Sequence, residues 1–296
     1  MKQSLAYYII LLVIKLKGIK RDFSKVPIDF KKIRKEDVKL PNNRFFKRHI
    51  LQKIKVLESL ITEIGCVEKA DKLLIFIHGG AFISGPTQHH WDTIKEIAIK
   101  TNYTIWMCDY PKAPENQIAK ISENIDAIYS KALKNYQPNH IAIIGDSVGG
   151  TLATALIQRL RINEIELPAK LILVSPVMDA SMSNPEINTF EKLDPMLSRA
   201  GVLSAKKMCA GTMDLKDPMI SPLYGDFEGF PETTLFLSQN DIMYPDTKLV
   251  ELKMKKANVN LEVIEGKNMP HIWPFLPVMK EAQDSLNDII RRLITI

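Results

Sequence analysis

The chain has 296 residues, 46% apolar and 25% charged, with 40 Lys plus Arg against 34 Asp plus Glu and a formal charge of +6. Length and apolar content exclude a disordered or collagen-like chain and predict one large domain or two small ones, long enough to bury a sizeable core. Three cysteines, Cys66, Cys108 and Cys209, are too few for a disulfide framework and too widely spaced for a zinc signature, which predicts a reduced, cytoplasmic protein.

The charge is uneven. Residues 1–60 hold 16 Lys/Arg and 5 Asp/Glu, a net of +11, and the remaining 236 hold 24 and 29, a net of −5. A basic segment on a mildly acidic body differs from a uniformly basic nucleic-acid binder, and no recognition motif accompanies it, so no nucleic-acid partner is expected. Leu5 to Ile14 is an unbroken apolar run, extended by Leu16 and Ile19, with Lys15, Lys17, Lys20 and Arg21 breaking in. A helix over residues 5–16 would be about 18 Å long, short of the ~30 Å bilayer core, so a single-pass anchor is not expected. No small-x-small cleavage site follows, which argues against a signal peptide. Two readings stay open. The helix packs on the body, or residues 1–21 make a peripheral contact with the inner membrane face, apolar surface in the bilayer and lysines near anionic headgroups.

From residue 72 onward short apolar runs alternate with helical patterns. Runs at 73–77, 104–108, 141–144, 171–174, 235–237 and 261–264 carry apolar or β-branched residues on both faces, as strands of a parallel sheet do. Helical patterns fall near 91–100, 117–135, 148–161, 246–257 and 277–294; in the second, Ile118, Ile121, Ile125 and Ile128 keep helical spacing. The alternation predicts an α/β sheet wrapped by helices. Residues 1–50 precede it, and residues 179–222, with Pro185, Pro195, Pro218 and Pro222, interrupt it. Insertions of that kind tend to form lids and binding walls.

Gly145-Asp-Ser-Val-Gly149 follows a strand and opens a helix, matching G-x-S-x-G, the sharp turn that lifts a nucleophilic serine out of a sheet. Ser147 needs a base, and the base needs an orienting carboxylate, in the chain order Ser, acid, His. His271, in a loop past the last predicted strand, is the only histidine after Ser147. Asp241 follows the strand at 235–237 and is preferred as the acid. Its competitor Asp246 stands where a helix would take an N-cap or first-turn charge. His78-Gly-Gly-Ala-Phe82 follows the first predicted strand, where an oxyanion loop belongs. The amides of Gly80, Ala81 and Val148 are the expected oxyanion donors, with Gly79 shaping the turn and His78 anchoring the loop.

With these motifs in order, the chain resembles the hormone-sensitive-lipase-like branch of the α/β-hydrolase fold over roughly residues 72–296. Four stretches carry the resemblance: His78-Gly-Gly-Ala-Phe82, Asp109-Tyr-Pro-Lys-Ala-Pro-Glu115, Gly145-Asp-Ser-Val-Gly-Gly150 and Asp217-Pro-Met-Ile-Ser-Pro-Leu223. The second makes the branch specific. The resemblance implies a mostly parallel sheet and a cap built from residues 1–50 and about 179–222 on a catalytic domain of residues 51–296. It also implies a carboxylesterase for short- to medium-chain esters, working through an acyl-enzyme without metal or organic cofactor. Three departures stand out. Ala81 replaces a usual third glycine and Val148 a smaller alanine, both narrowing the acyl pocket. Pro111-Lys112 replace the usual Arg-Leu, which predicts the loss of a buried arginine contact.

An amidase or peptidase on the same triad, and a non-catalytic small-molecule binder on the same scaffold, remain as alternatives. His271 argues against the second. The sequence leaves a homo-oligomer open.

Overall fold

The computed structural model describes residues 3–66, 70–276 and 278–295. Four short helices lead in: α1 (Leu5–Lys17), α2 (Ile19–Asp22), α3 (Phe30–Ile33) and α4 (Arg44–His49). Ser4 caps α1 by accepting from the Tyr7 amide, and Gly18, with φ 66°, ends it in a left-handed turn. A hairpin follows, β1 (Ile50–Val56) and β2 (Ser59–Ile64), turning through Leu57 with φ 50°. This hairpin escapes the sequence reading, which starts the sheet at residue 72. β1 is an exposed edge strand carrying Gln52, Lys53 and Lys55, and polar edges do not show the continuous apolar run of a buried strand.

The body continues β3 (Lys72–Ile77), α5 (Gln88–Lys100), β4 (Tyr103–Asp109), α6 (Ile118–Leu133), β5 (Ile141–Asp146), α7 (Val148–Ile162) and β6 (Lys170–Val174). Then come α8 (Ile187–Phe190), α9 (Arg199–Ala210), β7 (Glu232–Asn240), α10 (Tyr244–Lys256), β8 (Leu261–Pro270) and α11 (Lys280–Ile294). Pro277, the expected first residue of the last helix, lies outside the described residues, as do Met1 and Lys2 of the N-terminal run.

The eight strands form one sheet in the order β1-β2-β4-β3-β5-β6-β7-β8, with β2 antiparallel to both neighbours and every pairing from β4 to β8 parallel. This is the α/β-hydrolase architecture. Both faces are covered, so the central strands are apolar throughout: from Leu73 to Ile77 every residue of β3 is buried. One core packs Ile75, Ile143 and Leu171 against α6 and α7, and the other packs Leu74, Ile144 and Phe236 against α5 and α11.

The parallel strands all end on one edge, and His78, Ser147, Asp241 and His271 each follow within one residue of a strand end. β7 and β8 are longer than the sequence suggests. A register irregularity between Ser238 and Asn240 leaves Asn240 opposite Pro270, so Asp241 and His271 emerge side by side.

The N-terminal segment and the 179–222 insertion meet at this edge. Lys20 Nζ donates to the carbonyls of Glu191 and Asp194, and the Ile28 amide donates to Ser204 Oγ at 3.0 Å. An arginine from the N-terminal segment does reach the loop that follows Pro111-Lys112. Arg34 donates to the carbonyls of Ile83 at 2.6 Å and Ala113 at 2.7 Å and grips Glu115 with two bonds. Arg34→Ala strands those acceptors at a partly buried seam. It should lower stability by about 1–3 kcal/mol, seen as a lower urea midpoint at unchanged m-value.

Candidate active site

Ser147 is the residue between β5 and α7, and its backbone is strained, with φ 52° and ψ −122°. Such a conformation costs roughly 1–3 kcal/mol in a non-glycine residue and persists only where the surroundings enforce it. Enforcement comes from both sides: the Ser147 amide donates to Val174 O at 2.9 Å, and Ser147 O accepts from Val177 N at 3.0 Å. Gly149 allows the tight approach, since a Cβ there would overlap the Ile77 carbonyl. The Ser147 side chain makes no capping bond to α7, so its hydroxyl is not spent on the helix. Among the ten non-glycine residues described with positive φ, Ala81, Phe82, Ser147, Ser175 and Ile272 all lie in the segments that follow strand ends along this edge. Strain concentrated in this way marks a functional site rather than a folding accident.

His271 Nδ1 donates to Asp241 Oδ2 at 2.6 Å, with both residues buried. The other oxygen of Asp241 accepts from the Met243 amide at 2.8 Å, so the carboxylate is fixed by its own turn. Asp246, the competitor, sits in the first turn of α10 and accepts from Asn184 Nδ2 at 2.9 Å. The histidine loop is stitched to the nucleophile's strand. Ile272 N donates to Ser175 Oγ at 3.0 Å, and Ser175 directly follows Val174, whose carbonyl holds the Ser147 amide. Burial works against a charged imidazole, but the Asp241 carboxylate beside it outweighs burial and raises the His271 pKa above 6.5.

A third carboxylate escaped the sequence reading. Asp194, in the insertion after β6, is buried. It accepts from Met196 N at 2.7 Å and Leu197 N at 2.8 Å with one oxygen, and from Ile242 N at 3.0 Å with the other. It ties the insertion to the residue after Asp241. Burial and the nearby Asp241 charge push its pKa up to about 7. No motif or periodicity marks it, because its partners are backbone amides 2, 3 and 48 residues away.

The loop after β3 turns through Gly80 at φ 121°, Ala81 at φ 54° and Phe82 at φ 63°. Gly79 N donates to Asp146 Oδ1 at 3.0 Å, Tyr110 OH to His78 O at 2.8 Å, and Ala113 N to Phe82 O at 2.9 Å. The last two tie the Asp109–Glu115 stretch to the glycine loop. His78 is fully buried and stacked on Tyr110, and burial drives its pKa well below 6.5, so it is neutral. The amides of Gly80 and Ala81 meet no acceptor among the described residues. Val148 is the first residue of α7, where an N–H has no intrahelical acceptor. Three free donors near a strained serine suit an anionic oxygen.

Among the described residues, one group offers metal-type donors within 4.8 Å of one another: His89, His90 and Asp146. Two of the three are committed. His90 Nε2 lies 3.3 Å from Asp146, whose carboxylate also holds Gly79 N.

The chain matches the α/β-hydrolase-fold family over residues 74–275. It is similar to a protein of Acinetobacter venetianus named an esterase, 32% identical over 236 residues that cover 77% of this chain and 76% of that one. It is also similar to an acetyl-hydrolase of Streptomyces hygroscopicus, 26% identical over 73% of each chain. A crystal structure of an esterase from the bacterial hormone-sensitive lipase family shares the fold, with a TM-score of 0.88 and 24% identity over 100% of this chain and 99% of that one. The chain belongs to the α/β-hydrolase family.

Two predictions follow from the geometry. A base must be neutral to take a proton, so turnover should fall as pH drops through the raised His271 pKa, giving an acid limb above pH 6.5. Asp194→Asn removes one of the negative charges that raise it, and the limb of kcat/KM should move to lower pH. Ala81→Gly relieves left-handed strain of about 1–2 kcal/mol, offset by about 0.5–1 kcal/mol of added chain entropy. Thermal stability should therefore change little, while kcat/KM rises selectively for esters with bulkier acyl groups.

Proposed function

We propose that this protein is a serine carboxylesterase that hydrolyses short- to medium-chain carboxylic esters through an acyl-enzyme. The observation that carries the proposal is the buried Asp241–His271 pair on the same strand-end edge as a strained serine at a strand-to-helix turn. Two relatives, one named an esterase and one an acetyl-hydrolase, support the same chemistry.

Asp241 fixes the His271 ring with Nδ1 protonated, leaving Nε2 to take the proton of Ser147 as its oxygen attacks the ester carbonyl. The amides of Gly80, Ala81 and Val148 receive the negative oxygen of the tetrahedral intermediate. His271 then returns the proton to the departing alcohol, and water releases the acyl group from Ser147 by the same steps. Small acyl groups are the expected preference, because Ala81 and Val148 stand where the resemblance has smaller residues next to the oxyanion donors. The three cysteines are unpaired, which suits the reducing cytoplasm proposed as its compartment.

Ser147→Ala should lose nitrophenyl butyrate hydrolysis by roughly 10⁴-fold or more and lose labelling by a fluorophosphonate probe. Asp241→Asn should cost about 10⁴-fold in kcat while leaving the fold intact. Undiminished turnover by Ser147→Ala would sink the proposal, and faster cleavage of anilides than of matched esters would redirect it to amide substrates.

A further inference from the structure

Helix α1 presents two apolar faces, and the protein uses only one. Tyr7 and Ile14 are buried, and Ile10 and Leu11 pack partly buried against the core beneath the sheet. On the opposite side Leu5, Tyr8, Ile9, Leu12, Val13 and Leu16 are exposed, Leu5 and Leu16 by three quarters. At 100° per residue these six fall within an arc of roughly 140°, so they form one continuous stripe rather than scattered residues. Exposed apolar stripes of this kind mark a binding surface.

Charge narrows what can cover it. Lys15 and Lys17 project from the two borders of the stripe, one on each side, and both are exposed. Arg21 and Lys25 follow, also exposed, while the described residues before Asp22 include no acid. Asp22 itself is paired with Lys32 at 2.5 Å. An apolar stripe edged by cations is complementary to an anionic lipid surface, where the side chains enter the acyl boundary and the lysines meet the headgroups; the acid at the helix's start, Glu281, is taken up by Ser4. The helix is 13 residues long, and no described helix is long and apolar enough to cross a membrane, so the complementarity is with the surface.

The placement of α1 gives the contact a use. Tyr7 OH donates to Asn268 O at 2.8 Å and Gln3 Nε2 to Lys267 O at 2.7 Å, on the strand end that carries His271. Ser4 is clamped by Glu281 through its amide at 2.6 Å and its hydroxyl at 2.7 Å. Lys20, just past α1, holds the carbonyl of Asp194. The helix is thus fastened both to the histidine loop and to the insertion beside it.

We propose that α1 is a docking face for an anionic lipid bilayer, which brings the strand-end edge of the protein to lipid-borne esters. The docking stands on the helix alone. The delivery of lipid esters rests on the carboxylesterase reading above.

Full-length protein is co-sedimented with vesicles of phosphatidylcholine containing phosphatidylglycerol, and with phosphatidylcholine alone. Wild type and Ser147→Ala should bind the anionic vesicles equally, and far better than the neutral ones. Binding should weaken steeply as salt is raised. Lys15→Glu with Lys17→Glu should reduce it by about tenfold or more. Leu12→Asp should do the same and leave nitrophenyl butyrate hydrolysis in solution unchanged. Failure of wild type to sediment with anionic vesicles would overturn the docking, whatever the esterase assays show. A wild-type dimer that Leu12→Asp converts to monomer, without vesicle binding, would assign the stripe to a second copy of the chain instead. Vesicle binding without faster hydrolysis of a vesicle-borne ester would keep the docking and remove its link to catalysis.

Discussion

The carboxylate of Asp146 joins three parts of the active site that the chain supplies from different places. It accepts the Gly79 amide of the oxyanion loop, lies against His90 at the start of α5, and directly precedes Ser147. His90 is itself oriented, because its Nδ1 takes the Thr87 amide at 3.0 Å and leaves Nε2 as the nitrogen facing the carboxylate. Asp146 is only 1% exposed, so losing the Gly79 or the His90 contact would leave a buried carboxyl oxygen short of a hydrogen bond. The free amides of Gly80 and Ala81 hold their places because Gly79 cannot move without breaking that arrangement. Tyr110 and Ala113 brace the same loop from the far side, and Arg34 locks Ala113 and Ile83 to the N-terminal segment.

The other half of the site depends on register. Each strand from β3 to β8 ends at a common edge because they run parallel, but only the shift near Ser238 in β7 sets Asn240 against Pro270. That places the next residue of each strand, Asp241 and His271, within a 2.6 Å hydrogen bond. Ser175 ties the histidine loop back to β6, and Ser238 donates to or accepts from it at 2.7 Å. The strained backbones of Ser147, Ser175 and Ile272 are affordable because these cross-links and the two cores over-determine their positions.

The N-terminal segment changes the meaning of the charge asymmetry. Its basic residues are not a single patch. Arg34 is structural, Lys20 fastens the segment to the insertion that carries Asp194, and Lys32 pairs with Asp22. Lys15 and Lys17 remain at the borders of an exposed apolar stripe. A net charge computed over 60 residues therefore mixes cations that bind the protein to itself with cations that face outward.

Local pattern was enough for much of this molecule. Apolar runs at 73–77 and 141–144 are legible as parallel strands because burial on both faces demands continuous hydrophobicity. G-x-S-x-G at 145–149 is legible because its turn tolerates few sequences. Chain order and strand position single out Ser147, Asp241 and His271 as candidates, and the fold pairs the last two. The β1–β2 hairpin was not legible, since an edge strand with lysines lacks that pattern. Nor was Asp194, whose partner Ile242 lies 48 residues away. Nor was the grip of Arg34 on the Ala113–Glu115 loop, since it comes from 79 residues upstream of Ala113. By itself the sequence determined which segments become strands and which residue types could do the chemistry, because those depend on neighbours a few positions apart. Only the tertiary structure decided which carboxylate meets His271, which cation braces the oxyanion loop and which face of α1 is left uncovered. Each of those depends on what distant segments bring within hydrogen-bonding or packing distance.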